Sequence, residues 1–293
     1  MKAAPFAYAR PSTVDGVLAA LAASGGEGKI LAGGQSLVPV LAMRLARPSV
    51  LVDINGVEGL DQISLNDGVF HVGATARQRD VERDERTAAV PLLGLALPWV
   101  GHRELRSRGT VCGSLAHADP AAELPAVAVC LDAALEIAGP SGPRTVPARE
   151  FFTGAMTTVL GADEVLTGTS FPAAGPGEGF GFAEFARRHG DFALAGVAVR
   201  VGRSPREAVL AAFGVSDRPV LRDVTELLDR GGATDVGPIA DALAAPMAAL
   251  AREIVDTGGD AHASAGYRRR LFAALAAREL ANAQVRARQE EES

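Results

Sequence analysis

The chain has 293 residues, 48% hydrophobic and 22% charged, an ordinary globular balance that excludes a charge-rich disordered chain and leaves room for two or three domains. Its net charge of −6 argues against a nucleic-acid partner, whose binding draws on clustered Lys and Arg. The opening MKAAPFAYARPS has no apolar core long enough for a signal peptide, and uncharged apolar stretches such as 242–251 fall well short of the roughly 20 residues of a membrane span, so a soluble, cytoplasmic protein is expected.

In chain order, Val14, Val17, Leu18 and Leu21 recur at helical spacing and predict a helix over 12–23, with Ser12 and Asp15 at its start and Ser24-Gly25-Gly26 as its stop. A strand over 29–32 runs into Gly33-Gly34, a helix over 36–45 ends before Arg47-Pro48, and a second strand covers 50–54. These opening residues read as a small α/β unit. Ile63-Ser64-Leu65 and Val69-Phe70-His71-Val72 flank Asn66-Asp67-Gly68 and predict a hairpin, because Asp-Gly supplies the positive φ angles of a tight turn. A helix over 88–100, which Pro98 must kink or end, precedes an irregular polar stretch at 101–119. A helix over 121–131 and strands at 135–138 and 165–171 follow. The small, Pro-broken stretch 173–179 reads as a linker. Beyond it come three strands, 181–186, 193–201 and 209–215, and two Ala/Leu-rich helices, 238–255 and 265–287. The basic run Arg268-Arg269-Arg270 reads as a solvated face of the last helix.

Two glycine motifs stand out. In the first, Ala32-Gly33-Gly34-Gln35-Ser36-Leu37, a strand meets paired glycines and then a helix start. Helix N-termini attract anions because their first N–H groups lack partners. Glycines there remove β-carbons that block a phosphate, and Ser36 adds a hydroxyl. The motif is neither GxGxxG nor a P-loop, and a plain strand–turn–helix connection explains it equally. The second runs from Arg106 to Pro120 and holds Thr110, Val111, Cys112, Gly113 and Ser114. Two such loops facing each other suit a pyrophosphate held by backbone amides. Glu123, one turn into the next helix, suits ribose hydroxyls. His117 and Asp119 invite an acid–base reading, but no nucleophile accompanies them, and contact with a bound cofactor is the better reading of both. The cysteines Cys112 and Cys130 form no CxxC pair and the histidines are scattered, so neither an iron–sulfur cluster nor a metal cluster is expected from this chain alone.

On these motifs the chain resembles the FAD-binding medium subunit of molybdenum-containing hydroxylases, the group of aerobic carbon monoxide dehydrogenase and the flavin domain of xanthine dehydrogenase. The family's AGG(H/Q)SL loop is matched by residues 32–37. Its R-N-R-G-T-I-G-G-(N/S)-x-x-H-x-D-P-A run is matched by residues 106–121, with departures at Ser107, Val111 and Cys112. Residues 162–166, 184–193, 213–219 and Tyr267-Arg268-Arg269 also fit, so the resemblance covers essentially the whole chain in order.

The resemblance implies an α+β fold of the vanillyl-alcohol-oxidase-like flavin type. A small N-terminal α/β part (1–57) would join a main FAD-binding domain (58–174) and a C-terminal domain (175–293) with a three-stranded sheet and helices. It implies that residues 32–36 and 110–114 wrap the pyrophosphate, with Leu37 and His117 beside them. It further places Glu123 near the adenosine ribose, where the family usually has Asp, Leu166 at the adenine end and Phe192 over the isoalloxazine ring. Cys112 replaces the first glycine of the usual pair. A positive φ there would strain it, whereas an extended backbone would let it simply pack.

The function implied is electron transfer. A molybdenum-cofactor large subunit and a [2Fe-2S] small subunit would feed electrons to FAD here, and an external acceptor would take them. No side chain of this chain need be a catalytic acid or base, since the flavin does the chemistry. Two alternatives use the same residues: a self-standing FAD-dependent oxidoreductase acting on a small molecule, and a flavin-free scaffold, which Cys112 keeps open.

Overall fold

Thr13, not Ser12, caps the first helix: its hydroxyl accepts from the Gly16 amide at 3.1 Å. This computed structural model describes residues 2–202, 207–229 and 233–292. The opening residues form β1 (Ala7–Ala9), α1 (Val14–Ala23), β2 (Gly28–Leu31), α2 (Leu37–Ala42) and β3 (Val50–Asp53). Both edge strands pair in parallel with β3, which gives the order β1-β3-β2. β1 is three residues long and mostly exposed, too short to show a strand period in the sequence.

The hairpin is present as β4 (Ile63–Asn66) and β5 (Val69–Gly73), turning through Asp67 at φ 50° and Gly68 at φ 74°. α3 (Gln78–Arg83) leads to α4 (Pro91–Ala96), which passes into a single 3-10 turn holding Pro98. The stretch expected to be irregular instead contains α5 (Arg103–Arg106) and α6 (Val111–His117). Next come α7 (Glu123–Cys130), β6 (Ala134–Gly139), β7 (Gly142–Pro147), α8 (Ala148–Phe151), β8 (Phe152–Gly154), β9 (Thr157–Thr158) and β10 (Val165–Pro172). The middle sheet is antiparallel, ordered β4-β5-β10-β6-β7. Every residue of α7 is buried, as its apolar composition on all sides requires, and it packs against α4, α6, α8 and the last sheet.

That last sheet is β11 (Gly179–Phe185), β12 (Ala195–Val201), β13 (Ala208–Phe213) and β14 (Val220–Asp223), all antiparallel and in sequence order. It has four strands where three were expected. β14 is a partly exposed edge strand carrying Arg222 and Asp223, so it lacks the apolar run that marks its neighbours. α9 (Val236–Ile254) and α10 (Ala265–Glu292) cover the sheet and pack against each other. One buried cluster joins α1, β3, the middle sheet and α7, and extends to Phe180, Phe182 and Phe213. A second fills the space between the last sheet and its two helices.

Arg268 corrects the solvated-face reading of the basic run. It is 6% exposed, and its guanidinium donates to the carbonyls of Leu194 and Gly214 (2.7 Å for the latter) and to Asp260 Oδ2 at 2.6 Å. It ties α10 to the start of β12 and the end of β13. Among the described residues no helix is long and apolar enough to cross a membrane.

Candidate functional site

The first glycine motif leaves β2 at Leu31 and enters α2 with Ser36 as the N-cap residue. Gly34 has φ 73°, a region costly for any residue with a β-carbon. Gly33 has a different reason to be glycine. A Cβ there would stand 2.3 Å from the Arg108 carbonyl oxygen and 2.7 Å from Gly109 Cα. The space that sequence reasoning reserved for a phosphate at Gly33 is taken by the second motif's backbone. The amides of Gly33, Gly34, Gln35 and Ser36 have no protein acceptor among the described residues, and the Ser36 hydroxyl caps nothing. All four residues are half-exposed, as is Leu37 behind them.

The second motif is a capped helix, not an irregular loop. Thr110 is extended, and its Oγ1 accepts from the Gly113 amide at 3.0 Å, opening α6. The helical period then sorts the side chains. Val111, Cys112 and Leu115 enter the core, while Gly113, Ser114 and His117 stay half-exposed on the other face. Glycine and serine disguised this helix in the sequence because both favour other conformations, and burial of the apolar face overrode them. A Cβ on Gly113 would lie 3.9 Å from the Ala32 Cβ, so the half-exposed face of α6 looks onto the first motif.

Cys112 is helical, neither strained nor extended, and 2% exposed. Its Sγ lies 3.6 Å from the Val72 carbonyl of β5. Burial, with the Glu136 charge behind it, pushes its thiol well above the ordinary value, so it packs and does not react. Cys130 is likewise buried, its thiol pushed up to about 12 by burial.

His117 and Asp119 do not form an acid–base pair. Ala118, at φ 52°, ends the helix between them, and Asp119 Oδ1 accepts from the Ala121 amide at 2.9 Å within its own turn. Arg106 is also structural. It forks onto Glu82 at 2.9 and 3.1 Å and donates to the carbonyls of Val100 and Gly101 at 3.1 Å each. Burial works to raise the Glu82 carboxyl, but hydrogen bonds from Arg106 and Arg79 outweigh it and hold it below its ordinary range.

Sequence reasoning missed a polar cluster behind the two motifs. Asn55, just past β3, donates from Nδ2 to the Ala32 carbonyl at 2.9 Å and accepts from Arg77 Nη2 at 2.6 Å. Arg77 Nη1 donates to the Arg108 carbonyl at 2.7 Å. Asp53 steadies Asn55 through its amide at 2.9 Å and in turn accepts from the Tyr8 hydroxyl. Gln78 donates to the carbonyls of Gly109 and Thr110 at 2.9 and 3.3 Å. The one available signal was the Asp53-Ile54-Asn55 spacing at a strand end, typical of a side chain turned onto nearby backbone.

Glu123 is the first residue of α7, not one turn in, and is 7% exposed. Burial, with the Asp119 charge adding, raises its carboxyl to about 7. Glu184 on β11, also 7% exposed, is raised to about 8, by burial first and then by the charge of Glu123. Glu184 Oε2 is buried without a hydrogen-bond partner among the described residues. Leu166, on β10, packs into the main core at 4% exposure. Phe192 is 66% exposed on the loop between β11 and β12. That loop leans on the segment before the second motif: His189 meets Trp99 and His102 edge-on, with ring centroids 6.0 and 6.2 Å apart. The Gly214 amide, donating to the Pro120 carbonyl at 2.8 Å, makes a second tie between the last sheet and the second motif.

The donor set fits an anionic diphosphate. The amides of Gly33, Gly34, Gln35 and Ser36 lack protein acceptors among the described residues, the two motifs are in backbone contact, and the Arg77 guanidinium is bonded to the Arg108 carbonyl of one and, through Asn55, to the Ala32 carbonyl of the other. Comparison with known proteins agrees. Residues 4–174 match the family described as the FAD binding domain in molybdopterin dehydrogenase, and residues 180–283 match the CO dehydrogenase flavoprotein C-terminal domain. The chain is 35% identical to the caffeine dehydrogenase subunit beta of Pseudomonas sp. (strain CBB1), over 97% of this chain and 96% of that one. It is 31% identical to the carbon monoxide dehydrogenase medium chain of Afipia carboxidovorans, over 97% and 98% of the two chains. Among solved structures it is similar to the carbon monoxide dehydrogenase of Hydrogenophaga pseudoflava lacking the Mo-pyranopterin moiety, with a TM-score of 0.90, 30% identity and coverage of 98% and 99%.

Proposed function

Because this chain belongs to the FAD-binding subunits of molybdenum-hydroxylase-type dehydrogenases, we propose that it takes electrons from the iron–sulfur clusters of a partner and hands them to an external acceptor. It is an FAD-dependent oxidoreductase subunit, and FAD supplies the redox chemistry when bound. The proposed partners are a molybdenum-cofactor large subunit and a [2Fe-2S] small subunit. The names of its relatives, a subunit beta and a medium chain, support a shared assembly. The proposed division is 1–57 and 58–174 for flavin binding and 175–293 for the sheet that carries Phe192.

The observation that carries the reading is the pair of glycine motifs in backbone contact, with the amides of the first left without an acceptor among the described residues. In it, the amides of Gly33, Gly34, Gln35 and Ser36 and the Ser36 hydroxyl hold the diphosphate from one side. Thr110, Val111, Cys112, Gly113 and Ser114 wall the other, Val111 and Cys112 through backbone alone because their side chains face the core. Leu37 and His117 flank it, Glu123 takes the ribose, Leu166 backs the adenine end and Phe192 covers the isoalloxazine ring. The purified chain is expected to bind FAD in preference to FMN, which lacks the diphosphate, in fluorescence titrations. Mixed with its large and small subunits and their substrate, its flavin should be reduced in stopped flow far faster than in the lone chain. A lone chain that turns over substrate as fast as the mixture would make it a self-standing flavoenzyme.

A further inference from the structure

Two backbone carbonyls fix the geometry of the glycine motifs, and one pair of side chains holds both. Asn55 Nδ2 donates to the Ala32 carbonyl at 2.9 Å, Arg77 Nη1 donates to the Arg108 carbonyl at 2.7 Å, and Arg77 Nη2 to Asn55 Oδ1 at 2.6 Å closes the link. A trans peptide points its carbonyl and its following amide in opposite directions. Anchoring the Ala32 carbonyl to Asn55 therefore turns the Gly33 amide away from Asn55. Gln35 repeats the device one residue on: its Nε2 donates to the Gly33 carbonyl at 3.1 Å, which turns the Gly34 amide away from the Gln35 carboxamide. On the facing motif, Gln78 fastens the carbonyls of Gly109 and Thr110.

The charges at this spot are uneven. Arg77 is half-buried, and Arg108 is near enough for its charge, after burial, to pull the Arg77 guanidinium below its ordinary value. Asp53 and Asp80 act the other way but do not offset it. The Arg77 guanidinium places a positive charge against the backbone of the second motif and, through Asn55, against that of the first.

We infer that Asn55 and Arg77 form a strut that holds the two glycine motifs in register and presents one positive charge to the diphosphate between them, making both positioning residues for the dinucleotide end of the cofactor. This rests on the reading of the two motifs as the diphosphate subsite. The strut is fastened to the backbone of the two motifs, so on that reading it acts at the diphosphate end and not at the flavin ring. Its loss should discriminate between ligands that have a diphosphate and ligands that do not.

The test is flavin binding to the full-length apo chain, with FAD and riboflavin as probes. Arg77→Met keeps the aliphatic stem and removes both donors. It should weaken FAD binding at least tenfold, equal to about 1.4 kcal/mol, while riboflavin affinity moves less than threefold. Asn55→Ala should act alike. The double variant should be little worse than either single, because one link is broken once. Arg77→Lys keeps the charge yet cannot reach Asn55 and the Arg108 carbonyl together, so it should recover only part of the loss. It also serves in place of Arg77→Met should that chain fail to fold. A purely structural role would weaken both probes equally, and that outcome, or FAD affinity within threefold of the parent in both single variants, overturns the inference. A parent that binds FMN as tightly as FAD would sink the diphosphate reading itself. A parent that prefers FAD, with strut variants that keep its affinity, would sink the strut alone.

Discussion

Replacing Gly33 by alanine adds one methyl group at the most crowded point of the site. That methyl would stand 2.3 Å from the Arg108 carbonyl oxygen and 2.7 Å from Gly109 Cα, both backbone atoms that no rotamer change can move. Reaching even a tight contact of 3.0 Å requires the two motifs to part by at least about 0.7 Å. Overpacking of this kind costs about 1–3 kcal/mol. Either the free chain accommodates the methyl by parting the motifs, and FAD must close them again, or the chain stays closed and is strained throughout. The first route puts the whole cost on FAD binding, a loss of roughly 5- to 150-fold. The second puts it on the melting temperature.

The control is Gly94→Ala on α4, where an added Cβ meets nothing within 4 Å. It should be neutral or stabilise the helix by about 0.5–1 kcal/mol. Fluorescence titration with FAD and calorimetry of the free chain, on parent and both variants, separate the two routes. If Gly33→Ala binds FAD within twofold of the parent and melts at the same temperature, the backbone contact between the motifs is wrong.

Two further outcomes follow from burial. Cys112→Gly restores the family's residue, yet in this structure it opens a void beneath α6 and puts glycine in a helix. It should destabilise the chain by about 1–3 kcal/mol by denaturant unfolding, with no gain in FAD affinity; a tenfold gain would mean that the cysteine shapes the site. Glu184 and Glu123 start from an ordinary value of 4.5 and rise to about 8 and 7 in the folded chain, so between those limits the folded chain holds more protons than the unfolded one. The stability they contribute is full below pH 4.5 and is lost as pH rises through 7 and 8. Glu184→Gln should therefore melt higher than the parent at pH 8 and close to it near pH 4.5, and a gap of the same size at both pH values would refute the buried proton.

The elements were legible wherever one period dominated. The Asp67-Gly68 hairpin, α1 and the long α9 and α10 each carry their own local signal. The sequence misled where tertiary burial outweighed propensity. Val111, Cys112 and Leu115 are too few to announce a helix among glycine, serine and alanine, and only the core beneath them makes α6 form. Arg268 misled for a related reason. Three successive arginines read as a solvated face, but a helix turns each to a different side, and Arg268 points at two open carbonyls.

The site was half legible for a deeper reason. Motif reading finds residues that touch a ligand with backbone, because glycine leaves a visible mark. It does not find residues that hold the backbone itself, because Asn55 and Arg77 have no fixed spacing to the motifs they secure and sit in a turn and at the cap of α3. Gly33 shows how the two kinds of constraint combine. Its missing β-carbon admits the Arg108 carbonyl, and Arg77 then fastens that same carbonyl from the other side. A glycine that reads as clearance for a phosphate is, in the folded chain, clearance for a peptide group. The place proposed for the cofactor follows one step later, from the direction in which the fastened peptides leave their amides pointing.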